Sequence, residues 1–338
     1  MSRTFIVAAE LALIVGALVA IYWLAGSPLN SSGSPAPTPG HQVLITDQGP
    51  RTPIAISLPG TVAPSSPTPS TPQIKIPDVD CGPATGADVI DNGQVITYYG
   101  HPYTDRMGVL GELEPGALVQ QLRGHAQTYD DLNGELTARP AIHLVYATAQ
   151  SYPGNDGKYL LYLDDETLQE YLDLACQENM LLFIDLQFGL ADVLPEVERV
   201  LPYLAYPNVH LALDPEFAMQ PGQIPGEEIG TLDAEEINAA QAAVQSLVEQ
   251  YGLDDKIIVV HQFIDEMITR PELLVDYEHV KLVIDMDGFG PADVKRVKYG
   301  WYAASAEHSG IKLFFKHDPD LMPEADVIGL GADVVIYQ

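Results

Sequence analysis

The chain has 338 residues, with 16 lysines and arginines against 47 aspartates and glutamates, and a formal net charge of −31. This length can hold one large α/β domain with extensions. So acidic a chain would be repelled by nucleic acid phosphates and anionic lipid surfaces, which argues against a nucleic-acid-binding function. The acidic residues are spread along the chain, as on a solvated protein surface.

The first element in chain order is an apolar run over residues 5–25. Its roughly 21 residues suffice for a helix that crosses a bilayer. Arg3 precedes the run and no lysine or arginine follows until Arg51, so the positive-inside rule places the rest of the chain outside the cell. We predict a single-pass membrane protein with a signal anchor over residues 1–25. A cleaved signal peptide is the alternative, although its apolar region usually has only about 7–15 residues.

Residues 26–80 are rich in proline, serine and threonine. This composition predicts an extended, semi-rigid extracellular stalk. Two short apolar segments interrupt the stalk, Val-Leu-Ile-Thr at residues 43–46 and Ile-Ala-Ile-Ser at residues 54–57. They either pack as short strands on the next domain or are less polar parts of the stalk. The change in composition near residue 80 predicts a domain over residues 81–338.

In this domain, short apolar runs alternate with helical patterns. Eight runs predict strands, over residues 95–100, 141–147, 181–186, 209–214, 256–262, 280–286, 311–316 and 334–338. One intervening helix begins at a capping box, Asp233 with Glu236, and ends at Gly252. The pattern predicts an α/β fold, a (β/α)8 TIM barrel, preceded by the transmembrane helix and the proline-rich linker. A doubly wound open sheet is the alternative.

Polar side chains follow the apolar part of several predicted strands. The clearest case is Leu211–Phe217, where the run ends in Asp214 and Glu216. Side chains at positions i and i+2 of a strand share a face, so these two carboxylates should point the same way. The pattern recurs at three other strands, as Asp185 with Gln187, Asp285 with Asp287, and His261 with Gln262. In a TIM barrel these strand ends form the face that carries the active site.

Paired carboxylates with aromatic neighbours suit glycoside hydrolysis, in which one carboxyl group protonates the leaving oxygen. Clustered negative charges raise the pKa of one carboxyl group, as a general acid needs. We predict Glu216 as the acid, tuned by Asp214, with Asp285 as a further catalytic carboxylate. His143 and His210 lie inside strands and are interpreted as core histidines. The predicted substrate-binding residues are Tyr98, Tyr99, His101, Tyr146, Asp185, Gln187, His261, Gln262, Asp287 and Lys316.

Asp214-Pro215-Glu216 resembles the acid motif of chitinase-like barrels that use substrate-assisted catalysis. Over residues 95–338 the chain resembles exported bacterial barrel proteins, often lipid-anchored and distantly glycoside-hydrolase-like. The segments that carry this resemblance are Tyr98-Tyr-Gly-His-Pro, Leu213-Asp-Pro-Glu-Phe, Val259-Val-His-Gln-Phe and Asp285-Met-Asp-Gly-Phe-Gly. The resemblance implies a barrel fold and export, and leaves the chemistry open. The chain departs from those proteins because no cysteine for lipid attachment lies near the end of the apolar run.

We therefore expect a membrane-anchored extracellular enzyme that acts on glycans of the cell envelope or environment, without a cofactor. A non-catalytic barrel that binds glycans or supports the envelope is a second hypothesis. It gains weight because Lys316 stands where the commonest two-glutamate barrels carry a glutamate. A third is a metal-assisted hydrolase, since aspartate, glutamate and histidine could hold a divalent cation. The expected partners are a glycan or other small-molecule ligand and the membrane.

The sequence contains two cysteines, Cys81 and Cys176. An extracellular location would allow a disulfide between them. Cys81 precedes the first predicted strand and Cys176 ends a predicted helix, and in a barrel both places lie at the face opposite the active site. We therefore predict a disulfide between Cys81 and Cys176, with two buried free thiols as the alternative.

Overall fold

The computed structural model describes residue 74, residues 78–82 and residues 85–338. Eight parallel strands form a closed barrel. They are β1 (Gly93–Gly100), β2 (Thr137–Ala149), β4 (Leu181–Gly189), β5 (Val209–Ala218), β7 (Lys256–Gln262), β9 (Val280–Met286), β10 (His308–Leu313) and β11 (Val334–Tyr337). Three short strands are not part of the closed barrel: β3 (Leu160–Tyr162), which pairs antiparallel with β2, and β6 (Leu232–Asp233) and β8 (Ile268–Thr269), which pair with each other. The predicted barrel is confirmed, and the open sheet is not formed.

The barrel closes between its first and last strands. Val95 of β1 pairs with Val334 of β11, and the parallel register continues to Tyr98 and Tyr337. The other edge of β1 pairs with β2 from Gly93 to Gly100. Because β1 is bonded on both sides, the barrel has no free edge there.

Six α-helices are described outside the barrel. They are α1 (Pro115–Leu132), α2 (Asp165–Gln177), α3 (Val193–Leu204), α4 (Ala234–Tyr251), α5 (Ala292–Tyr302) and α6 (Glu324–Ile328). The sequence signals predicted for α4 are present. Asp233 and Glu236 form a capping box, and Gly252 ends the helix in a left-handed conformation with φ 63°.

One barrel connection lacks a helix. Between β7 and β9, residues 263–279 form two short 3-10 turns and β8. Side chains of α4 hold this connection in place, since Asn238 Nδ2 donates to Leu273 O at 2.8 Å and Gln241 Nε2 donates to Val275 O at 3.2 Å. The barrel is therefore less completely covered beside β9 than beside the other strands.

The core has two layers, as the alternation of side chains along each strand requires. The inner layer fills the barrel and includes Val95, Phe183, Val259 and Ile336. The outer layer lies between the strands and the helices. Both layers are nearly free of solvent, so polar side chains that point into the barrel are desolvated unless they meet one another.

A disulfide joins Cys81 to Cys176, 95 residues apart. It attaches the segment before β1 to the end of α2. Among the described residues no helix has the length and apolar character that a membrane span requires. The apolar run at residues 5–25 and most of the predicted stalk lie outside the described residues, and the predicted domain boundaries stay predictions.

Candidate active site

Polar and charged side chains gather inside the barrel at the carboxyl ends of its strands. The alternation along each strand turns them inward, in line with the inner layer. We call this set the inner cluster; it comprises Tyr99, His143, Asp185, Gln187, Asp214, Glu216, His261, Asp285, Asp287 and Lys312. Glu216 is partly exposed, and the other members are buried.

His261 lies at the centre of the inner cluster and binds carboxylates with both ring nitrogens. Its Nε2 is 3.1 Å from Asp185 Oδ2, and its Nδ1 is 2.9 Å from Asp285 Oδ2. Asp287 Oδ2 lies 3.5 Å from the same Nδ1. His143 Nε2 also reaches Asp185 Oδ2, at 2.8 Å. The two histidines and the aspartates thus form one connected network across four strands.

Lys312 supplies the second positive charge. Its Nζ donates to Asp287 Oδ2 at 3.1 Å and lies 3.7 Å from the centre of the Tyr99 ring. A fully buried lysine needs such a carboxylate and ring face to keep its charge. Burial lowers the pKa of Lys312, but the negative charges of Asp287 and Asp214 outweigh this effect and raise the pKa above its usual value. The ammonium group is therefore fixed inside the barrel.

Asp214 and Glu216 form the second part of the cluster. Asp214 Oδ1 accepts the backbone N–H of Glu216 at 3.2 Å, and Asp214 Oδ2 accepts from Gln187 Nε2 at 3.3 Å. Gln187 is itself oriented, because its Oε1 accepts the N–H of Ala149 at 2.8 Å. Asp214 is thereby held in one position beside Glu216.

The two carboxyl groups favour their protonated forms. Burial raises the pKa of Asp214 to about 7, and the nearby Asp185 and Asp287 act in the same direction. Burial, followed by the charge of Asp214, raises the pKa of Glu216 well above its usual value. At neutral pH the pair therefore holds a proton that can be donated and a carboxyl group that is partly ionised.

The histidine network has the opposite character. Burial raises the pKa of Asp185, but hydrogen bonds from His143 and His261 outweigh this effect and lower the pKa below its usual value. Burial would also lower the pKa of His261, but hydrogen bonds to Asp185 and Asp285 raise it well above the usual value. Burial lowers the pKa of His143 to about 4, so this ring is neutral. The charged network gives Asp214 and Glu216 a fixed electrostatic environment.

Two sets of residues offer ligand atoms close enough to hold a metal ion. In the first set, His143, Asp185 and His261, and in the second, His261, Asp285 and Asp287, the ligand atoms lie within 4.8 Å of one another. Oxygen and imidazole ligands suit divalent cations. His261 belongs to both sets and already contacts a carboxylate through each nitrogen, so a bound cation would replace its proton.

Several predicted site residues lie away from the inner cluster. Tyr98 and Tyr146 point into the outer layer, because the strand alternation that turns Tyr99 inward turns Tyr98 outward. Lys316 is 55% exposed and pairs with Glu112 at 2.8 Å. It lies beyond β10, which ends at Leu313 and not at residue 316 as predicted.

Two other predicted residues lie beside the inner cluster. His101 follows β1, and its Nδ1 accepts the N–H of Tyr103 at 3.2 Å. Gln262 Nε2 donates to the carbonyl of Ile264 at 3.3 Å, within the connection after β7. Both side chains therefore bond to backbone in loops, where they shape the rim of the barrel.

The sequence interpretation missed two members of the inner cluster, His143 and Lys312. The prediction that His143 and His210 are buried, hydrogen-bonded histidines is confirmed, but their partners differ. His210 Nε2 donates to Thr85 O at 3.0 Å, whereas His143 Nε2 bonds to Asp185 of the inner cluster at 2.8 Å. The signal that identifies Lys312 is the alternation of side chains along β10. Lys312 shares a face of this strand with Gly310 and His308, and this alternation is hidden when the strand is predicted three residues too late.

A buried ion pair outside the barrel supports the inner cluster. Lys295 Nζ of α5 donates to Gly288 O at 2.8 Å and pairs with Asp318 at 3.0 Å. Asp318 also accepts the N–H groups of Gly290 and Phe314, at 2.8 and 2.9 Å. The pair therefore fixes the loop after β9, next to Asp287, and the turn after β10, near Lys312.

Comparison with known proteins gives distant structural likenesses. No protein-family model and no curated protein matches the chain. Oxaloacetate acetylhydrolase in complex with the product oxalate has 10% sequence identity and a TM-score of 0.41, over 74% of this chain and 78% of that chain. 2,3-Dimethylmalate lyase, a PEP mutase/isocitrate lyase superfamily member, has 10% identity and a TM-score of 0.39, over 73% of this chain and 76% of that chain.

These findings correct the functional expectation. The solved structures named above are of oxaloacetate acetylhydrolase and 2,3-dimethylmalate lyase, which are not glycoside hydrolases. The predicted glycoside-hydrolase-like function, with its glycan substrate or carbohydrate binding, is therefore wrong. The Asp-x-Glu motif on which this prediction was based is too short to specify a substrate. Any strand with carboxylates at positions i and i+2 places both of them on one face, whatever its function.

Proposed function

We propose that this protein is an enzyme that uses Asp214 and Glu216 for acid–base catalysis on a small polar molecule. The observation that carries the proposal is the raised pKa of both carboxyl groups, which lie two residues apart on one strand at the carboxyl face of the barrel. Such pairs, with pKa values moved toward neutrality, are the means by which one site donates and accepts protons at pH 7.

The two groups take different roles. Glu216, whose pKa is raised well above its usual value by burial and by Asp214, donates a proton to an oxygen or nitrogen of the substrate as a bond to that atom breaks. Asp214, whose pKa is about 7, accepts a proton from water or from an acidic C–H bond. Transfer of the accepted proton from Asp214 to Glu216 then restores the starting state. Hydrolysis and elimination both have this proton balance.

The charged residues assist without taking part in the transfer. Asp185, Asp285 and His261 are held by mutual hydrogen bonds, so their dipoles and charges do not need to reorganise during reaction. Lys312 moderates the negative charge around Asp214. Glu216 and Phe217 are partly exposed and connect the buried cluster to solvent, so we expect a small substrate.

The first test needs no substrate. The full chain, labelled with carbon-13 in its aspartate and glutamate side chains, is titrated by NMR. We expect one aspartate to titrate near pH 7, and this signal to be absent from the Asp214→Asn variant. An Asp214 that titrates near pH 4 would reject the proposal, because it would be fully ionised at neutral pH.

The second test measures turnover. The chain is incubated with a panel of small esters, amides and hydroxy acids, and consumption is followed by proton NMR. Glu216→Gln should reduce any turnover by at least about 100-fold, because it removes the proton donor at nearly constant volume. Glu227→Gln, at an exposed position of the loop after β5, is the matched control. Equal loss in both variants would contradict the assigned role of Glu216.

The location of the protein is a separate proposal. The apolar run at residues 5–25 and the single arginine before it support an uncleaved anchor with the barrel outside the cell. The full-length chain should then fractionate with membranes, and external protease should release the barrel domain. A mature N-terminus near Ser27 would show a cleaved signal peptide instead.

A further inference from the structure

The outer surface of β9 is open where the barrel lacks a helix. Residues 263–279 cover the upper part of this flank, but Leu282 on β9 remains only half-buried. A cavity of about 370 Å³ opens here, between α4 and the start of β10. We call it the flank cavity. Its lining includes Gln241, Leu274, Tyr277, Leu282, Ile284 and Ala306.

The flank cavity combines an apolar floor with a mainly acidic rim. Its two basic lining residues already have partners, since Lys281 pairs with Asp91 at 3.2 Å and His308 lies 3.7 Å from Asp333. Leu282 and Ile284 form the floor, while Asp276, Glu278 and Glu307 are exposed at the edge. None of these three carboxylates forms an ion pair with another described residue. A segment that matches this surface would carry apolar side chains on one face and a positive charge beside them.

Large apolar side chains are also exposed on both sides of the flank cavity. Leu273 and Val275 precede β9, and α5, which follows β9, exposes Val294, Val297 and Trp301. Trp301 is 67% exposed. Adjacent exposed apolar residues of this size usually mark a surface that another segment covers.

The described chain begins close to this flank. Ile74 packs against the outer core layer, and its N–H donates to the hydroxyl of Tyr251 at 2.9 Å. Tyr251 is the last residue of α4, and Gln241 of the flank cavity lies ten residues earlier on the same helix, or about 15 Å away. Residues just before Ile74 therefore start within reach of the cavity.

We propose that residues 51–58, Arg-Thr-Pro-Ile-Ala-Ile-Ser-Leu, bind in the flank cavity. Ile54, Ile56 and Leu58 recur with period two, so an extended segment would present all three on one face. Arg51 is the only lysine or arginine between Arg3 and Lys75, and it would meet the acidic rim. The 20 residues from Ile54 to Ile74 can span up to about 66 Å, far more than the path requires.

This contact has a consequence for the arrangement of the chain. With residues 51–58 bound to the barrel, the proline-rich segment is divided into a tether of about residues 26–50 and a connecting loop of about residues 59–73. The binding segment takes the position of the missing barrel helix and covers the apolar floor beside β9. The barrel domain is then stabilised by residues that lie outside its predicted boundary at residue 81.

Hydrogen–deuterium exchange of the full-length chain tests the proposal. The variant Ile54→Asp/Ile56→Asp should raise exchange of residues 273–279 and 303–308, which line the flank cavity, by about tenfold. The control Val43→Asp/Ile45→Asp places the same charges in the other apolar segment and should leave exchange unchanged. Residues 181–189 of β4, away from the cavity, should exchange equally in all variants and report an intact barrel.

Charge reversal provides a second, independent measurement. Arg51→Glu should raise exchange at the flank cavity, and adding Glu307→Arg to it should restore protection. Unchanged exchange in the Ile54→Asp/Ile56→Asp variant would overturn the proposal. So would wild-type protection of residues 273–279 that falls on dilution, because it would show that a second copy of the chain covers the cavity.

Discussion

At the residue scale, Asp285 shows how closely the inner cluster is packed. Its Oδ2 contacts His261 at 2.9 Å, and its neighbour on the next strand in the barrel is Gly310. A Cβ atom on Gly310 would lie 2.8 Å from Asp285 Oδ1 and 3.0 Å from Asp285 Cβ. Glycine at this position is thus a requirement of the site, because any other side chain displaces the carboxylate that holds His261.

Gly310→Ala should therefore disturb the site as well as the fold. We expect a loss of about 1–3 kcal/mol in the free energy of unfolding, from overpacking of a buried position. The pKa of His261 should fall, because the variant weakens its hydrogen bond to Asp285. Denaturant unfolding and NMR titration measure the two effects. Gly124→Ala, on α1 with open space around it, is the control and should stabilise the protein slightly.

The raised pKa of Asp214 has a consequence for stability. Asp214 has an ordinary pKa of 3.8 in the unfolded chain and a pKa of about 7 in the folded protein. Between these two pH values the folded protein keeps a proton on Asp214 that the unfolded chain has lost. The contribution of Asp214 is therefore fully present below about pH 4 and is lost as the pH rises through 7. Asp214→Asn should flatten this fall in the free energy of unfolding, measured by denaturant titration at several pH values. Asp265→Asn, at an exposed position, should leave the slope unchanged.

At the element scale, the sequence predicts the strands better than the side chains they present. Seven of the eight predicted strands match a barrel strand, and none of the seven extends more than one residue beyond it. They are predictable because buried parallel strands are continuous apolar runs. The seventh run, at residues 311–316, is shifted relative to β10 because its apolar residues continue into the turn after Leu313. That shift exchanges Lys312 for Lys316 in the predicted site.

Other features of the site depend on contacts that a sequence pattern does not contain. Asp185, Asp285 and His261 are recognisable as polar strand ends, but their mutual hydrogen bonds depend on the barrel closing. His143 lies well inside β2, where apolar neighbours make it indistinguishable in sequence from His210. The absence of a helix before β9 is likewise visible only once the strands are placed.

The helix α5 allows a matched test of buried and exposed charge. Lys295 is fully buried against Asp318, whereas the next residue, Arg296, forms a pair with Asp326 in which both side chains are about half exposed. Lys295→Met should cost about 3–5 kcal/mol, because it leaves the Asp318 carboxylate buried without its partner. Arg296→Met should cost at most about 1 kcal/mol.

Thermal and denaturant unfolding of the two variants provide the comparison. The Lys295→Met variant should also alter the NMR signals of Asp287 and Lys312, because the loops that Lys295 fixes carry or adjoin both residues. Equal effects of the two substitutions on stability would show that the Lys295–Asp318 pair does not hold the loops.

At the scale of the whole molecule, the disulfide connects distant parts of the chain. Cys81 and Cys176 are 95 residues apart, and the loop that they close contains β1, α1, β2 and α2. Replacing both cysteines by serine should lower the free energy of unfolding by about 4 kcal/mol, mainly because the unfolded chain gains freedom. Wild-type protein unfolded under reducing conditions should match the variant. A variant as stable as the oxidised wild type would contradict this account.

The pairing of β1 with β11 also determines when the protein can fold. Val95–Tyr98 pair with Val334–Tyr337, which lie 239 residues later in the chain. Until those residues leave the ribosome, β1 and β10 each lack the neighbour that closes the barrel, and both present unpaired backbone groups. Most of the chain is therefore synthesised before its fold is possible. Until the last strand of the barrel is synthesised, such a chain is open to aggregation.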